Sequence, residues 1–361
     1  MTGPLSFSEP PRRILLVKPS AIGDVVHTLP VLALLRRRWP ESHIAWLVSP
    51  ACAGLLTGHP LLSEVVLFDR RGLSAWYRSP SAAGQLRDLL GRLRSARYDL
   101  VLDLQGLLRS GLLTYATGAR VRVGLASARE GAGAFYTHRV PDTGATRHAI
   151  DRYLDAAAFL GLGRGPVEFV FNTTADDVAA AESMLRPVGQ RPVAVLLPGA
   201  NWPTKRWPAS HFAELASGLR RQGLAVVVAG AGSDDVLARE IGPDVSLCGR
   251  TTLAQLTAVL AKAAVVVAND TGPMHIAAAL GRPLVTLYGP TDPARTGPWG
   301  REDSVLRVAL PCAPCLSRTC VHQSCLRWLE PPWVLRAALQ AMEHAGRCGR
   351  PDDVVLASRG P

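Results

Sequence analysis

The chain has 361 residues, of which 48% are hydrophobic and 19% charged, with 40 Lys and Arg against 29 Asp and Glu. The length exceeds that of a usual single core and predicts two domains. The composition excludes a disordered chain, a collagen and a small disulfide scaffold. The formal charge of +11 favours an anionic partner such as phosphate-rich lipid, nucleotide or nucleic acid, without choosing among them.

Targeting and membrane-spanning signals are not found in the sequence. Prolines interrupt the first 13 residues, where a signal peptide needs an apolar core, and no later run reaches about 18 uncharged apolar residues. We therefore expect a soluble cytoplasmic protein that contacts a membrane surface without crossing it.

The first half alternates short apolar runs with segments of helical period, which is typical of a parallel sheet with crossover helices. The predicted strands are 14–17, 44–48, 64–68 and 100–103. The predicted helices are 25–39, which Pro30 should kink or restart, 83–96 and 148–160.

A Gly- and Pro-rich stretch with a short Ala-rich helix predicts a domain junction near residues 165–190. Four further strands follow at 193–197, 225–229, 265–268 and 284–288. The sequence thus predicts two doubly wound α/β domains, 12–165 and 190–330, then a helix at 331–346 and a tail at 347–361. In such an architecture we expect the ligand between the domains, at the carboxyl ends of their strands.

The loop after the first strand reads Lys18-Pro19-Ser20-Ala21-Ile22-Gly23-Asp24. A carboxylate at a strand end is placed to accept the proton of an attacking hydroxyl. Asp is also a preferred residue at a helix N-terminus, so Asp24 as a simple helix cap is the alternative.

Two loops of the second half carry chemistry suited to phosphate. In residues 197–208, Gly199 lets backbone approach a ligand, and Lys205 and Arg206 offer cationic donors, unless they are merely solvated. In residues 268–279, Asp270 or Thr271 caps a helix whose first amides, at Thr271 and Gly272, form an anion site. His275 follows one turn later, on the ligand side or in a structural role.

Several common motifs do not occur in the sequence. It contains no Asp-x-Asp, so a metal bridging a diphosphate is not indicated. It also contains neither a Walker A sequence nor Gly-x-Gly-x-x-Gly, which weakens the ATPase and dehydrogenase interpretations. A departing nucleotide diphosphate would then be stabilised by cationic side chains and helix amides.

Four cysteines form C-x2-C-x4-C-x4-C: Cys312, Cys315, Cys320 and Cys325. In a reducing compartment four thiolates suit a structural Zn²⁺ or iron ion, and free thiols or a redox-dependent link are the alternatives.

Four arginines of the first half form a possible acceptor set. If they converge they would attract an anionic acceptor, although each alone is also explained as a surface charge. They follow the third strand or fall in predicted loops: Arg70, Arg71, Arg109 and Arg122.

Taken together, the motifs at 17–30, 198–208, 269–275 and 288–293 resemble glycosyltransferase family 9, the ADP-heptose:lipopolysaccharide heptosyltransferases, over roughly residues 13–342. The resemblance implies a GT-B fold of two Rossmann-like domains facing a central cleft, with acceptor bound by the first and nucleotide sugar by the second. It implies inverting, metal-independent transfer of L-glycero-D-manno-heptose from ADP-heptose to the Kdo/heptose inner core of lipopolysaccharide.

The resemblance also implies residue roles. Asp24 would be the general base, Lys205 would neutralise the departing diphosphate, and the helix at 331–346 would pack back across the junction. Within the donor set, Asp270 would hold sugar hydroxyls, Thr251 would contact adenine and Asp234 the ribose. The full donor set is Gly199, Asn201, Asp234, Thr251, Asp270, Thr271, Gly272 and His275.

The subfamily stays open at this point. The first loop is similar to heptosyltransferase I, whereas the cysteine cluster is more similar to heptosyltransferase II or other branches. The sequence is also compatible with another GT-B nucleotide-sugar transferase or epimerase, with a protein heptosyltransferase, and with a nucleotide- or nucleic-acid-binding module. We expect an anionic lipopolysaccharide-core acceptor, peripheral contact with the inner membrane and no nucleic-acid partner.

Overall fold

The structure is a computed structural model that describes residues 5–141 and 147–348, without the side chains of Arg71 and of residues 346–348. The chain divides into two compact units, Met1–Asn172 and Thr173–Pro361. This division falls inside the stretch 165–190 in which the sequence placed the junction. Most of the predicted tail, 349–361, lies outside the described residues.

The first unit is built on a six-stranded parallel sheet of order β3-β2-β1-β4-β5-β6. Its strands are β1 (Arg13–Val17), β2 (His43–Val48), β3 (Glu64–Leu67), β4 (Leu100–Asp103), β5 (Val121–Leu125) and β6 (His138–Val140). Its helices are α1 (Ile22–Arg38), α2 (Pro50–Ala53), α3 (Arg70–Leu73), α4 (Pro80–Ser95), α5 (Leu108–Ala116) and α6 (Ala149–Phe159).

Alternate residues of the central strands face one core layer. Leu15 and Val17 of β1 share a buried cluster with Leu89 of α4 and Leu113 of α5. Helices α1 and α6 contact each other. The central strands are therefore buried on both faces, as expected of a parallel sheet covered by helices.

The first unit differs from the sequence expectation at two places. Pro30 does not restart a helix, because α1 is continuous through it and buries every residue from Val25 to Leu35. That burial outweighs the hydrogen bond that a proline removes. Strands β5 and β6 were missed, since they are short and Arg122 and Gly124 interrupt the apolar pattern of β5.

The second unit repeats the architecture with the order β12-β11-β10-β7-β8-β9. Its strands are β7 (Val193–Leu197), β8 (Ala225–Val228), β9 (Val245–Ser246), β10 (Val265–Asn269), β11 (Leu284–Leu287) and β12 (Val305–Leu306). Its helices are α7 (Ala175–Leu185), α8 (Ala209–Arg221), α9 (Asp235–Ile241), α10 (Leu253–Ala261), α11 (Gly272–Ala279), α12 (Pro293–Thr296), α13 (Ser324–Arg327) and α14 (Pro331–Cys348).

The C-terminal helix α14 is part of the second unit's core. It contacts α8, β10 and β11, and its Val334 and Ala338 are buried with Phe212 of α8. The indole of Trp207 donates to the Leu329 carbonyl over 2.8 Å, which fixes the turn before α14. Packing of this helix back across the junction stays a prediction. The two-residue edge strands β9 and β12 were too short to be recognised in the sequence.

Within residues 5–141 and 147–348, no helix is both long and apolar enough to cross a membrane.

A buried histidine makes the stability of the first unit sensitive to pH. The Nε2 atom of His59 lies 2.9 Å from the Val170 carbonyl, and its Nδ1 accepts from the Leu61 amide over 3.2 Å. Burial lowers the pKa of His59 below its usual 6.5, although the Val170 carbonyl opposes this. The folded state therefore favours the neutral imidazole of His59.

We predict that the free energy of unfolding falls as the pH drops below about 6.5, because the unfolded chain then binds a proton that buried His59 resists. Urea unfolding between about pH 5 and pH 7.5 measures this. The variant His59→Gln should lose part of this slope, and an unchanged slope in the variant would contradict the assignment to His59.

Candidate active site

A cluster of polar side chains in the first unit lies where the strand order of its sheet reverses. Chain order runs outward from β1 to β2 and β3 on one side, and from β1 to β4 on the other. Loops after β1 and β4 therefore diverge, and such a switch point is where open α/β sheets bind ligands. The Lys18 ammonium spans these loops by donating to the Leu104 carbonyl over 3.0 Å.

Asp24 is held in the first turn of α1 by three groups. Its Oδ2 accepts from the Ala21 amide at 3.1 Å, and its Oδ1 accepts from the Tyr153 hydroxyl at 3.2 Å. The Lys18 Nζ atom lies 3.6 Å from Oδ1. The amide contact supports the capping interpretation. The side chain nevertheless remains 37% exposed, so it is also open to a ligand.

Buried Lys18 keeps its charge. Burial disfavours the ammonium, but the Asp24 carboxylate, together with Tyr153, outweighs it and raises the pKa of Lys18 above its ordinary value. Burial, in contrast, raises the pKa of Tyr153 to about 12, so its hydroxyl stays protonated and can donate. Sequence reasoning missed Tyr153, whose only signal was its place on the buried face of α6.

A buried carboxylate supports the loop that Lys18 binds. Asp103, the last residue of β4, accepts from the amides of Gln105 and Gly106 and from the Tyr136 hydroxyl at 2.7 Å. Burial raises the pKa of Asp103 above its usual range, against these hydrogen bonds. This arrangement fixes the start of α5.

The predicted acceptor arginines lie on three elements of the first unit, α3, α5 and β5. Arg70 is in α3 and Arg109 is exposed on α5, which corrects its assignment to a loop. Arg122 is in β5, which corrects the same loop assignment, and its guanidinium donates to the carbonyls of Ala119 and Phe135. The Arg71 side chain lies outside the described residues. Within residues 5–141 and 147–348, none of the described contacts joins these arginines to Lys18 or Asp24.

The second unit carries its own cluster at the corresponding reversal, between β7 and β10. Lys205 follows β7 and Asp270 follows β10, and their Nζ and Oδ2 atoms are 2.6 Å apart. The Thr291 hydroxyl donates to the same Oδ2 over 2.6 Å. Burial, followed by the carboxylate of Asp270, raises the pKa of Tyr288 well above its ordinary value. Tyr288 and Thr291 belong to the motif at 288–293, but no role was predicted for either residue.

A buried amide ties the two loops of this cluster together. Asn269 accepts from the Trp207 amide at 3.1 Å and donates to the Pro198 carbonyl at 2.7 Å. Lys205 also lies 4.6 Å above the ring of Trp202. The loop 198–207 is thus anchored on both sides of the cation that it presents.

Other predicted donor residues lie at the same edge of the second sheet. Asp234 accepts from the Ala231 amide at 2.9 Å and packs so closely that Gly199 has no room for a side chain. Thr251 is half-buried just before α10, and Asn201 is exposed. Gly272 begins α11 after Thr271, and His275 is buried within that helix. Their ligand roles stay predictions.

The four cysteines of the motif line one hollow of about 290 Å³. Burial and then the neighbouring thiols, Cys315 first, raise the pKa of Cys325. Among the side chains of residues 5–141 and 147–348, no group of three or more His, Cys, Asp or Glu is arranged to hold a metal ion. A structural metal here therefore stays a prediction.

The cysteine segment contacts the loop that carries Lys205. The Thr204 hydroxyl donates to the Ser317 carbonyl over 2.8 Å, and Arg318 lies 4.8 Å above the Trp202 ring. The segment is therefore a structural support for the Lys205 loop of the second unit.

Two parallel six-stranded sheets, each with a lysine–carboxylate pair beside its first strand, are an architecture found among nucleotide-sugar transferases. The model of glycosyltransferase family 9 (heptosyltransferase) matches residues 86–326, and the chain belongs to this family. The predicted family resemblance and the GT-B fold class are thereby confirmed.

The chain is similar to several heptosyltransferases in sequence and in structure. The chain is 34% identical to lipopolysaccharide heptosyltransferase 1 of Pseudomonas aeruginosa, covering 86% of this chain and 88% of that protein. It is 29% identical to lipopolysaccharide heptosyltransferase 2 of Escherichia coli, covering 82% and 88%. The structure of E. coli heptosyltransferase WaaC with ADP aligns with a TM-score of 0.74 and 27% identity, over 91% of this chain and 99% of that one.

We predict that Gly199→Ala lowers the free energy of unfolding by about 1–3 kcal/mol, the usual cost of overpacking. The new Cβ atom would lie 2.2 Å from the Asp234 Oδ2 and displace that carboxylate. Gly91→Ala is the matched control, because its Cβ meets nothing within 4 Å and it lies inside α4. Chemical denaturation should show the control unchanged or slightly stabilised, and equal stability of Gly199→Ala would contradict the close contact.

Proposed function

We propose that the protein transfers heptose from ADP-heptose, with inversion, to the Kdo/heptose inner core of lipopolysaccharide. Family membership and relatives named lipopolysaccharide heptosyltransferase support the activity. The observation that carries the mechanism is the exposed Asp24 carboxylate, fixed by Tyr153 and Lys18 at the switch point of the first sheet.

In the proposed reaction Asp24 acts as general base. An acceptor hydroxyl loses its proton to the carboxylate as its oxygen forms a bond to the anomeric carbon. The bond from that carbon to the β-phosphate oxygen of ADP breaks on the opposite face, so the configuration inverts. Tyr153, which donates to Oδ1, and Lys18, whose ammonium lies 3.6 Å from the same oxygen, orient the carboxylate.

Lys205 and the start of α11 would stabilise the departing ADP. The ammonium is held beside Asp270 and above Trp202, so it is pre-positioned for a second anion. The amides of Thr271 and Gly272 lie at the positive end of α11, which suits phosphate oxygens. Asp270 would then offer its remaining oxygen to sugar hydroxyls, and His275 would support the same site.

The nucleoside would lie along the edge formed after β7, β8 and β9. Asp234 would contact the ribose hydroxyls and Thr251 adenine, and Gly199 and Asn201 would contact the same nucleotide. The reaction uses cationic side chains and amides, so we propose that catalysis requires no metal. No step depends on an ion at the cysteine cluster.

The acceptor is proposed to be anionic. Arg70, Arg71 and Arg109 would attract its phosphate and carboxylate groups, while Arg122 is already occupied by backbone carbonyls. We propose that the enzyme works at the cytoplasmic surface of the inner membrane. Mass-spectrometric analysis of products from ADP-heptose and a panel of Kdo-bearing acceptors tests this, and transfer only from a UDP- or GDP-sugar would contradict it.

We predict that Asp24→Asn lowers kcat by roughly 10²–10⁴, the range expected for loss of a general base. Asparagine can still accept from the Ala21 amide, so thermal stability and ADP affinity should change little. Steady-state kinetics measures the effect, and Asp88→Asn, an exposed aspartate of the same unit, is the control. Unchanged turnover in Asp24→Asn would reduce this residue to a helix cap.

We predict that Lys205→Ala lowers kcat/KM for ADP-heptose by roughly 10²–10³, the scale for removing one stabilising donor. Lys205→Arg should recover part of the loss, because it restores a cation beside Asp270. Lys262→Ala is the control, since its ion pair with Glu182 is on the surface of the same unit. If Lys205→Ala and Lys262→Ala have the same kinetics, Lys205 takes no part in donor binding.

A further inference from the structure

Large apolar side chains are exposed on the outside of the layer that α3, α4 and α5 form. Trp76 and Tyr77, just before α4, are 55% and 63% exposed, and Leu112 and Tyr115 of α5 are 46% and 60% exposed. We call this the α3–α5 surface, defined by Trp76, Tyr77, Leu108, Leu112 and Tyr115. Exposed apolar groups of this size in one region indicate a binding surface.

The α5 part of this surface is a continuous stripe. Leu108, Leu112 and Tyr115 follow the spacing i, i+4, i+7, which places them on one side of a helix. Leu113 of the same helix is buried in the sheet core, so the stripe is additional to the face that folding requires. A solvent-facing stripe is normally polar.

The two parts of the surface belong to one layer. Leu73 of α3, Leu89 of α4 and Leu113 of α5 share one buried cluster, so the three helices cover the same face of the sheet. Helices α4 and α5 also contact each other. Helix α4 comes after β3 and α5 comes after β4, and the two strands are parallel. The segments before these two helices, which carry Trp76, Tyr77 and Leu108, therefore lie at the same end of the layer.

The segment that carries this surface has an excess of positive charge. Residues 70–120 contain nine arginines and three aspartates. Arg92, near the other end of α4, is paired with Glu64, and Glu130 accepts from the Leu108 amide. The guanidinium of Arg78 lies 5.1 Å from the Tyr77 ring, and that of Arg122 lies 5.5 Å from the Tyr115 ring. Aromatic and leucine side chains among arginines are the combination that enters the headgroup region of an anionic bilayer.

We propose that the α3–α5 surface docks on an anionic lipid bilayer. Trp76, Tyr77, Leu112 and Tyr115 enter the headgroup region, and the surrounding arginines face lipid phosphates. This rests on the proposed function, whose lipid-linked acceptor lies in such a bilayer. A second copy of the chain is a poor occupant, because a two-fold contact would place the same excess of arginines opposite itself.

Vesicle co-sedimentation tests the proposal with phosphatidylcholine vesicles that contain or lack phosphatidylglycerol. We expect binding that needs phosphatidylglycerol and weakens when salt rises from about 0.1 M to about 0.5 M. The triple variant W76S/Y77S/L112S should bind about tenfold more weakly, a modest share of the free energy that burial of three apolar side chains contributes. Arg78→Ser should weaken only the phosphatidylglycerol-dependent part.

Val236→Ser is the control, since it removes an exposed apolar side chain of the second unit. Equal loss of binding in this control would overturn the proposal, as would wild-type binding that ignores phosphatidylglycerol. The proposal would also be overturned if the wild type bound no vesicles and formed a dimer that the triple substitution converted to monomer.

A second readout separates docking from the proposed function. Heptose transfer to a deacylated, water-soluble inner-core acceptor should be the same in the triple variant and the wild type. Normal transfer without vesicle binding by the wild type would overturn docking alone. Vesicle binding without any heptose transfer would overturn the proposed function and leave the docking surface in place.

Discussion

Burial decides which member of the Lys18–Asp24 pair and of the Lys205–Asp270 pair is available to a ligand. In the first unit the ammonium of Lys18 is buried, at 5% exposure, while its partner Asp24 is 37% exposed. The second unit has the opposite arrangement, with Asp270 7% exposed and Lys205 17% exposed. One pair therefore presents a carboxylate and the other a cation. These are the two charges that base-assisted displacement of a diphosphate requires.

Both pairs depend on the same feature of sheet topology. In each sheet the first three strands are added toward one edge and the next three toward the other. The loops after the two neighbouring central strands therefore diverge. Buried polar groups occupy the space this leaves: Lys18 reaches the Leu104 carbonyl, and Asn269 joins Trp207 to Pro198. Because buried polar groups need partners, these bonds hold the loops in one conformation.

The sequence predicted some parts of the structure better than others. Eight strands were predicted close to their observed bounds, because each is a short apolar run between polar loops. Strands β5, β6, β9 and β12 escaped, since a strand of two or three residues, or one interrupted by Arg and Gly, carries almost no periodic signal. Asp24, Lys205 and Asp270 were found through their loops. Tyr153 and Thr291 were not assigned, because nothing in their own segments marks them as partners of a carboxylate.

By itself the sequence determined the alternation of strands and helices, the division into two α/β units and the motifs that mark the family, since these are properties of neighbouring residues. Only the tertiary structure decided which charges are exposed and which arginines are already bound. The Tyr153 hydroxyl meets Asp24 across 129 residues of chain, and Arg122 is taken up by carbonyls on other elements. Such contacts arise when distant segments pack together, and their energies depend on the burial that packing creates.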